Sequence, residues 1–216
     1  MYKLVLFDFD GTILDSDGMI VATFIELYKK FKPGYEATIE HMLTFSGPPI
    51  KETLKKEFPE LDQDFIYKEY QKVSTKNYDL YIKLFPGVEG LLLKLRSLGV
   101  PYGLVTSKSR DATNYAFSLL GIEGYFDFSV CSNEVKNVKP NPEGIRLAMK
   151  HFSIKNPKNV LYIGDGIIDY LTAKAANVDF GLVSYSPRKD LIPPEGVDLL
   201  IDDLNDILKV VSYEKD

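Results

Sequence analysis

The chain has 216 residues, 45% apolar and 26% charged, proportions that exclude a disordered or fibrous class, and at this length roughly 70% of the unfolded surface can be buried. Net charge is −5 with basic residues scattered along the chain; this argues against a nucleic-acid surface, and any anionic ligand must be drawn by a local site. The single cysteine, Cys131, excludes an intrachain disulfide framework, no run reaches the ~18 apolar residues of a membrane helix, and the first residues lack the pattern of a signal peptide, so the expectation is a soluble, cytoplasmic protein.

Leu4-Val5-Leu6-Phe7 is a short apolar run that stops at Asp8, the pattern of a fully buried parallel strand. The period then changes. Ile20, Phe24, Leu27, Tyr28 and Phe31 fall on one helix face, with Ser16 or Asp17 as N-cap and Pro33-Gly34 as terminator. Three more helical patterns follow, around 39–45, 50–58 and 65–81, with no strand between them. Residues 16–84 are therefore expected to form an all-helical insertion.

After Phe85-Pro86-Gly87, helices and apolar strands alternate. Strands are expected at 102–105, 128–131, 160–163, 180–183 and 199–201. Helices are expected over 88–98, up to Leu120, over 142–152 and near 204–211. This alternation predicts a doubly wound parallel sheet with right-handed crossovers, split into core segments 1–15 and 85–216.

Open parallel sheets bind ligands beyond the carboxyl ends of their strands. Asp8, Thr106 and Asp165 follow such strands directly or nearly so, and Lys139 lies in the loop after another. Thr106 to Lys139 is 33 residues and Lys139 to Asp165 is 26, each near the ~30 of one βαβ step. Asp8 and Asp165 offer hard oxygen ligands suited to Mg²⁺. Thr106 and Lys139 offer a hydroxyl and a fixed cation for phosphate oxygens. A carboxylate such as Asp8 can attack phosphorus, and a second acid, for which Asp10 is placed, can protonate the leaving oxygen and later activate water.

Asp8-Phe9-Asp10-Gly11-Thr12, Thr106-Ser107-Lys108, Lys139-Pro140 and Gly164-Asp165 with Asp169 resemble, in order, the four motifs of the haloacid dehalogenase-like hydrolase superfamily. That resemblance implies a Rossmann-like core and an Mg²⁺-dependent phosphatase working through an aspartyl-phosphate. Asp8 would be nucleophile and metal ligand. Asp10 would be acid/base and a ligand through its backbone carbonyl. Thr106 and the Ser107 amide would hold phosphate, Lys139 would balance charge, Asp165 would ligate the metal and Asp169 would stand in its outer shell. The insertion would be the family's cap. Its segment Ser46 to Leu54 resembles that of phosphoglycolate phosphatases and related bacterial pyrophosphatases, which nominates Gly47 and Lys51 for substrate binding. Position 166 is Gly where the family often has Ser, Thr or Asn, and 107 is Ser where Asn is frequent.

Each residue also has a plainer reading. Thr106 could cap a helix, Lys139 could be a solvated loop charge, and Asp169 could only complement a helix dipole. Cys131 reads as a small core residue, and two histidines, His41 and His151, make a histidine-based metal cluster improbable. Within the family, a dehalogenase does not need Asp10, and a sugar-phosphate mutase usually carries a His and a Trp after the first motif that are missing here. Sugar-phosphate, nucleotide and pyrophosphate substrates stay open. A phospho-aspartyl signalling module shares the residue types but would hold the phosphoryl group rather than release it. The expected partner is a small phosphorylated metabolite, not nucleic acid or membrane, and the expected state is a monomer, with a dimer as the alternative.

Overall fold

All four residues of β1 (Leu4–Phe7) are buried, and the strand lies inside the sheet rather than at its edge. In the computed structural model, which describes residues 1–46, 48, 50–187 and 192–212, β1 pairs in parallel with β4 (Tyr102–Val105) and with β6 (Val160–Gly164). Outward from these run β5 (Ser129–Val130) beside β4, and β7 (Asp179–Val183) then β8 (Leu199–Ile201) beside β6. The order is β5-β4-β1-β6-β7-β8, all parallel, so the expected doubly wound sheet is present. Its crossovers are α5 (Val88–Ser97), α6 (Arg110–Leu120), α7 (Glu143–His151) and α8 (Ile167–Ala176). Strands buried on both faces need apolar residues at every position, which is why they read as continuous rather than alternating runs.

The chain divides into two compact units. One comprises Met1–Leu14 and Leu84–Asp216, the other Asp15–Lys83. Two short strands, β2 (Leu14–Asp15) and β3 (Lys83–Leu84), pair where the chain passes from one to the other. The second unit holds α1 (Asp17–Phe31), α2 (Ile39–Leu43), α3 (Ile50–Glu57) and α4 (Gln63–Tyr81). It has its own core, in which Phe24, Leu27, Met42, Leu54, Phe58 and Ile66 are buried together. A buried polar contact joins α1 and α4: Asn77 Nδ2 donates to Thr23 Oγ1 at 3.3 Å. Asp62 caps α4 by accepting from the Phe65 N–H at 2.8 Å.

The sequence expectation lacked β2 and β3, of which β3 lies within the stretch 16–84 expected to be all-helical, and two further elements differ from it. The strand at 128–131 is reduced to Ser129–Val130, because Cys131 already leads into a 3₁₀ turn, its N–H donating to the Glu134 carboxylate at 2.8 Å. The last helix is a 3₁₀ segment, Leu204–Lys209, not an α-helix. There the Asp203 carboxylate accepts from both the backbone N–H and the side-chain amide of Asn205, at 2.8 and 2.9 Å, a local bond that competes with α-helical geometry. Val211 then bridges to Tyr2. Among the described residues no helix is long and apolar enough to cross a membrane.

Two glycines let the helices approach the sheet. A Cβ on Gly144 would meet Val105 Cγ1 at 2.8 Å, and one on Gly164 would meet Asp169 Cβ at 2.3 Å. The second is the tighter constraint, because α8 brings Asp169 against the end of β6. Gly164→Ala should displace that side chain and lower unfolding free energy by about 1–3 kcal/mol, read as a reduced denaturant midpoint with an unchanged slope.

Candidate active site

Asp8 is the first residue past β1 and continues its ladder, its N–H donating to the Ile163 carbonyl at 2.8 Å. Thr106 does the same past β4, donating to Val130 O at 3.0 Å. Asp165 follows β6 directly. The parallel register therefore delivers three polar side chains to one end of the sheet, where carbonyls and amides of the last residues are no longer paired within strands. Between Phe9 and Leu14 the backbone makes a tight loop: Leu14 N–H donates to Phe9 O at 2.8 Å, and Gly11 N–H to Leu14 O at 2.7 Å. Gly11 has a φ of 82°, a left-handed conformation that glycine adopts without steric cost. Asp10 stands on this loop, more exposed than Asp8.

Lys139 is the centre of the cluster. Its Nζ donates to Asp8 Oδ1 at 2.6 Å, to Asp169 Oδ1 at 2.7 Å and to the Tyr162 hydroxyl at 3.0 Å, so all three of its donors are used. Its side chain is only 6% exposed, which removes the solvated-loop reading. Asp169 is engaged at both oxygens. Oδ1 accepts from Lys139 and lies 3.1 Å from the Tyr162 hydroxyl, while Oδ2 accepts from the backbone N–H groups of Asp165 and Gly166, each at 3.3 Å. It does more than complement the dipole of α8: it ties the lysine to the loop that carries Asp165.

Asp8, Asp165 and Asp169 are all buried and can each direct an oxygen to within 4.8 Å of the others. Three carboxylates around one ammonium leave the cluster short of positive charge. The consequence falls on Asp8: burial, then the charge of Asp169, push its carboxyl well above the ordinary carboxylate range against the pull of Lys139. Burial alone would push the Lys139 ammonium down, but Asp169 and Asp8 hold it well above the ordinary lysine value. A buried carboxylate set that lacks counter-charge is chemically suited to a hard divalent cation. The Ser186 hydroxyl orients Asp165 from the far side, donating to its backbone carbonyl at 2.7 Å.

The other sequence-nominated residues are placed as follows. Thr106 is buried and its Oγ1 accepts from the Lys108 N–H at 3.1 Å; Ser107 beside it is exposed. Lys51 lies on α3 in the helical unit, its Nζ 4.8 Å from the centroid of the Tyr67 ring. Gly47 lies outside the described residues. At Gly166 a Cβ would find only Asp169 Oδ2, at 3.9 Å, so glycine there is not required by space. Cys131 is buried, with its thiol 3.5 Å from Thr113 Oγ1, and burial pushes that thiol up, away from nucleophilic use.

Two residues of the cluster escaped the sequence reading. Tyr162 sits inside a buried strand, where an aromatic signals core packing; its hydroxyl nonetheless lies within hydrogen-bond distance of Lys139, Asp169 and the Val105 carbonyl. Lys108 forms an ion pair with Asp10 at 3.1 Å, and its only signal was its place two residues after Thr106.

Residues 5–183 match the family model for haloacid dehalogenase-like hydrolases. Among similar proteins, pyrophosphatase PpaX of Oceanobacillus iheyensis is 28% identical over 97% of this chain and 97% of its own length. Its counterpart in Bacillus pumilus is 29% identical over 97% and 96%. Among solved structures, a candidate phosphoglycolate phosphatase from Lactobacillus plantarum superposes with a TM-score of 0.78 at 26% identity, covering 97% of this chain and 99% of that one. A candidate haloacid dehalogenase-like hydrolase from Bacteroides fragilis gives 0.80 at 26%, covering 96% and 100%.

Tyr162→Phe keeps the ring that fills the core and removes only the hydroxyl. It should leave the Val105 carbonyl without its donor and lower stability by about 1–3 kcal/mol, measured by denaturant unfolding.

Proposed function

From the premise that the chain belongs to the haloacid dehalogenase-like hydrolase family, we propose that it hydrolyses a small phosphate compound, with Asp8 as nucleophile and Asp10 as acid/base. The observation that carries this is the pairing of Asp8 Oδ1 with Lys139 at 2.6 Å at the carboxyl end of a central parallel strand. The lysine holds the carboxylate in one orientation and leaves its other oxygen to attack. The phosphorus–oxygen bond to Asp8 forms as the bond to the leaving group breaks, and Asp10 gives its proton to the departing oxygen. Asp10 then takes a proton from water, whose oxygen attacks phosphorus and releases phosphate, restoring Asp8. Thr106 and the Ser107 amide hold phosphoryl oxygens, and Lys139 offsets their charge.

Asp8, Asp165 and the backbone carbonyl of Asp10 are the groups that would hold Mg²⁺, with Asp169 orienting the Asp165 loop through two N–H groups. The ion would supply the positive charge that the three carboxylates lack. In this reading the helical unit is the cap and Lys51 a contact to substrate. The phosphoglycolate-type monoester reading is supported by the structural likeness at 26% identity, and the pyrophosphate reading by the curated relatives; both substrates fit the same chemistry.

Phosphate release measured across phosphoglycolate, pyrophosphate, sugar phosphates and nucleotides tests the assignment. Asp8→Asn should abolish turnover with the fold intact, and more than trace activity in pure protein would remove Asp8 as nucleophile. Asp10→Asn should cost about 10²–10⁴ in rate and let phosphoenzyme accumulate from a substrate with a good leaving group, as seen by rapid quench. Activity should depend on Mg²⁺ and be suppressed by Ca²⁺, which takes more oxygen ligands at longer distances; full activity in excess chelator would contradict this. Lys51→Ala should change the preferred ester more than the rate on p-nitrophenyl phosphate.

A further inference from the structure

Lys108 lies in the loop between β4 and α6, and its Nζ is 3.1 Å from Asp10 Oδ2. The loop is fixed on both sides of it. Its own N–H donates to Thr106 Oγ1 at 3.1 Å, and its carbonyl accepts from the Ser132 N–H at 3.0 Å. Two residues on, the Arg110 guanidinium grips both oxygens of Glu134 at 2.8 and 2.7 Å and donates to Ser129 Oγ at 2.6 Å. This ties the start of α6 to the start of β5 and to the 3₁₀ turn after it, so the ammonium is presented from a braced loop rather than a free one. The side chains of Lys108 and Asp10 are 16% and 32% exposed, enough burial for their charges to be screened less than those of a surface pair.

A leaving oxygen that takes its proton from Asp10 must come within hydrogen-bond reach of that carboxyl. This brings it to within about 6 to 8 Å of the Lys108 ammonium, depending on which Asp10 oxygen carries the proton, given the observed 3.1 Å contact. The ester of a neutral alcohol has nothing to offer a cation there. A carboxylate or phosphate a bond or two beyond the leaving oxygen does. Lys139 cannot take that part, because its three donors are committed to Asp8, Asp169 and Tyr162.

We propose that Lys108 is a specificity-determining residue that selects substrates whose leaving group is itself an anion, such as pyrophosphate or a phosphorylated hydroxy acid, over esters of neutral alcohols. The inference rests on the assignment of Asp10 as acid/base made above. It places part of the substrate choice in the sheet-bearing unit, on a residue that also touches the acid.

The test compares kcat/KM for phosphoglycolate with that for 2-hydroxyethyl phosphate, which differ in a carboxylate against a hydroxymethyl group, and for pyrophosphate with that for phenyl phosphate. Each ratio is measured in the wild type, Lys108→Gln and Lys108→Arg. Within a ratio both substrates meet the same preparation, so any loss of folded enzyme cancels. Lys108→Gln should lower at least one of the two ratios by about 10- to 100-fold, the worth of a charged hydrogen bond, and Lys108→Arg should restore most of it. Equal proportional losses on charged and neutral substrates would overturn the inference and leave Lys108 as a support for Asp10 alone. A wild type that prefers both neutral esters would overturn it as well. Absence of turnover on all four compounds in the wild type would instead bring down the proposed function, and this inference with it.

Discussion

Burying charge is costly unless it is paired and hydrogen-bonded, and this protein buries three carboxylates around one ammonium. Asp8 and Asp169 each accept from Lys139 through one oxygen, and Asp165 shares the cluster. The surrounding structure serves that arrangement. Parallel register delivers Asp8 and Asp165 side by side, because β1 and β6 are hydrogen-bonded neighbours. Gly164 lacks the Cβ that would collide with Asp169. Tyr162 gives up the usual anonymity of a core aromatic to bring its hydroxyl to the lysine from below. Burial and the nearby carboxylates also keep the Tyr162 phenol well above its ordinary range, so it remains a protonated donor.

A protein of net charge −5 does not draw anions by its overall field. The global field repels them, so attraction must be local. Two ammonium groups, Lys139 and Lys108, are held by carboxylates at the carboxyl end of the sheet, 2.6 Å from Asp8 and 3.1 Å from Asp10. Their settings differ. Lys139 is closed in on three sides by fixed partners, whereas the Lys108–Asp10 pair keeps part of its surface accessible.

The helical unit follows a separate logic. Its core is apolar and rich in aromatic rings, with Phe24 4.4 Å from Phe45 and Tyr28 5.4 Å from Phe58, centroid to centroid. The Tyr28 hydroxyl and His41 both reach the Glu57 carboxylate, at 2.7 and 3.1 Å, joining α1, α2 and α3 at one polar point. Such a unit needs no metal or disulfide to hold it, since four helices with a shared core and satisfied polar contacts are sufficient.

The strands were legible because a strand buried on both faces must be apolar throughout, and Leu4–Phe7 or Val160–Ile163 allow little else. The positions of Asp8, Thr106 and Asp165 at strand ends were legible for the same reason: the apolar run stops where the polar residue begins. The apolar spacing over Leu204–Val211 predicts a helix but not its type, since it does not reveal that Asp203 bonds to Asn205 and tightens the turn into a 3₁₀ segment. By itself the sequence determined the fold class, the family and the chemical types available at the end of the sheet. Only the tertiary structure decided which of these groups meet. Tyr162 joins the cluster and Asp169 Oδ1 meets Lys139 because β1, β4, β6 and α8 bring residues from separate stretches within hydrogen-bond distance. Lys108 faces Asp10 for a like reason: its direction is set by a loop pinned to Ser132 and braced through Arg110. Contacts between different elements, such as that of Lys139 with Asp8, 131 residues away, carry no trace in local periodicity, which records only what a residue's own helix or strand requires.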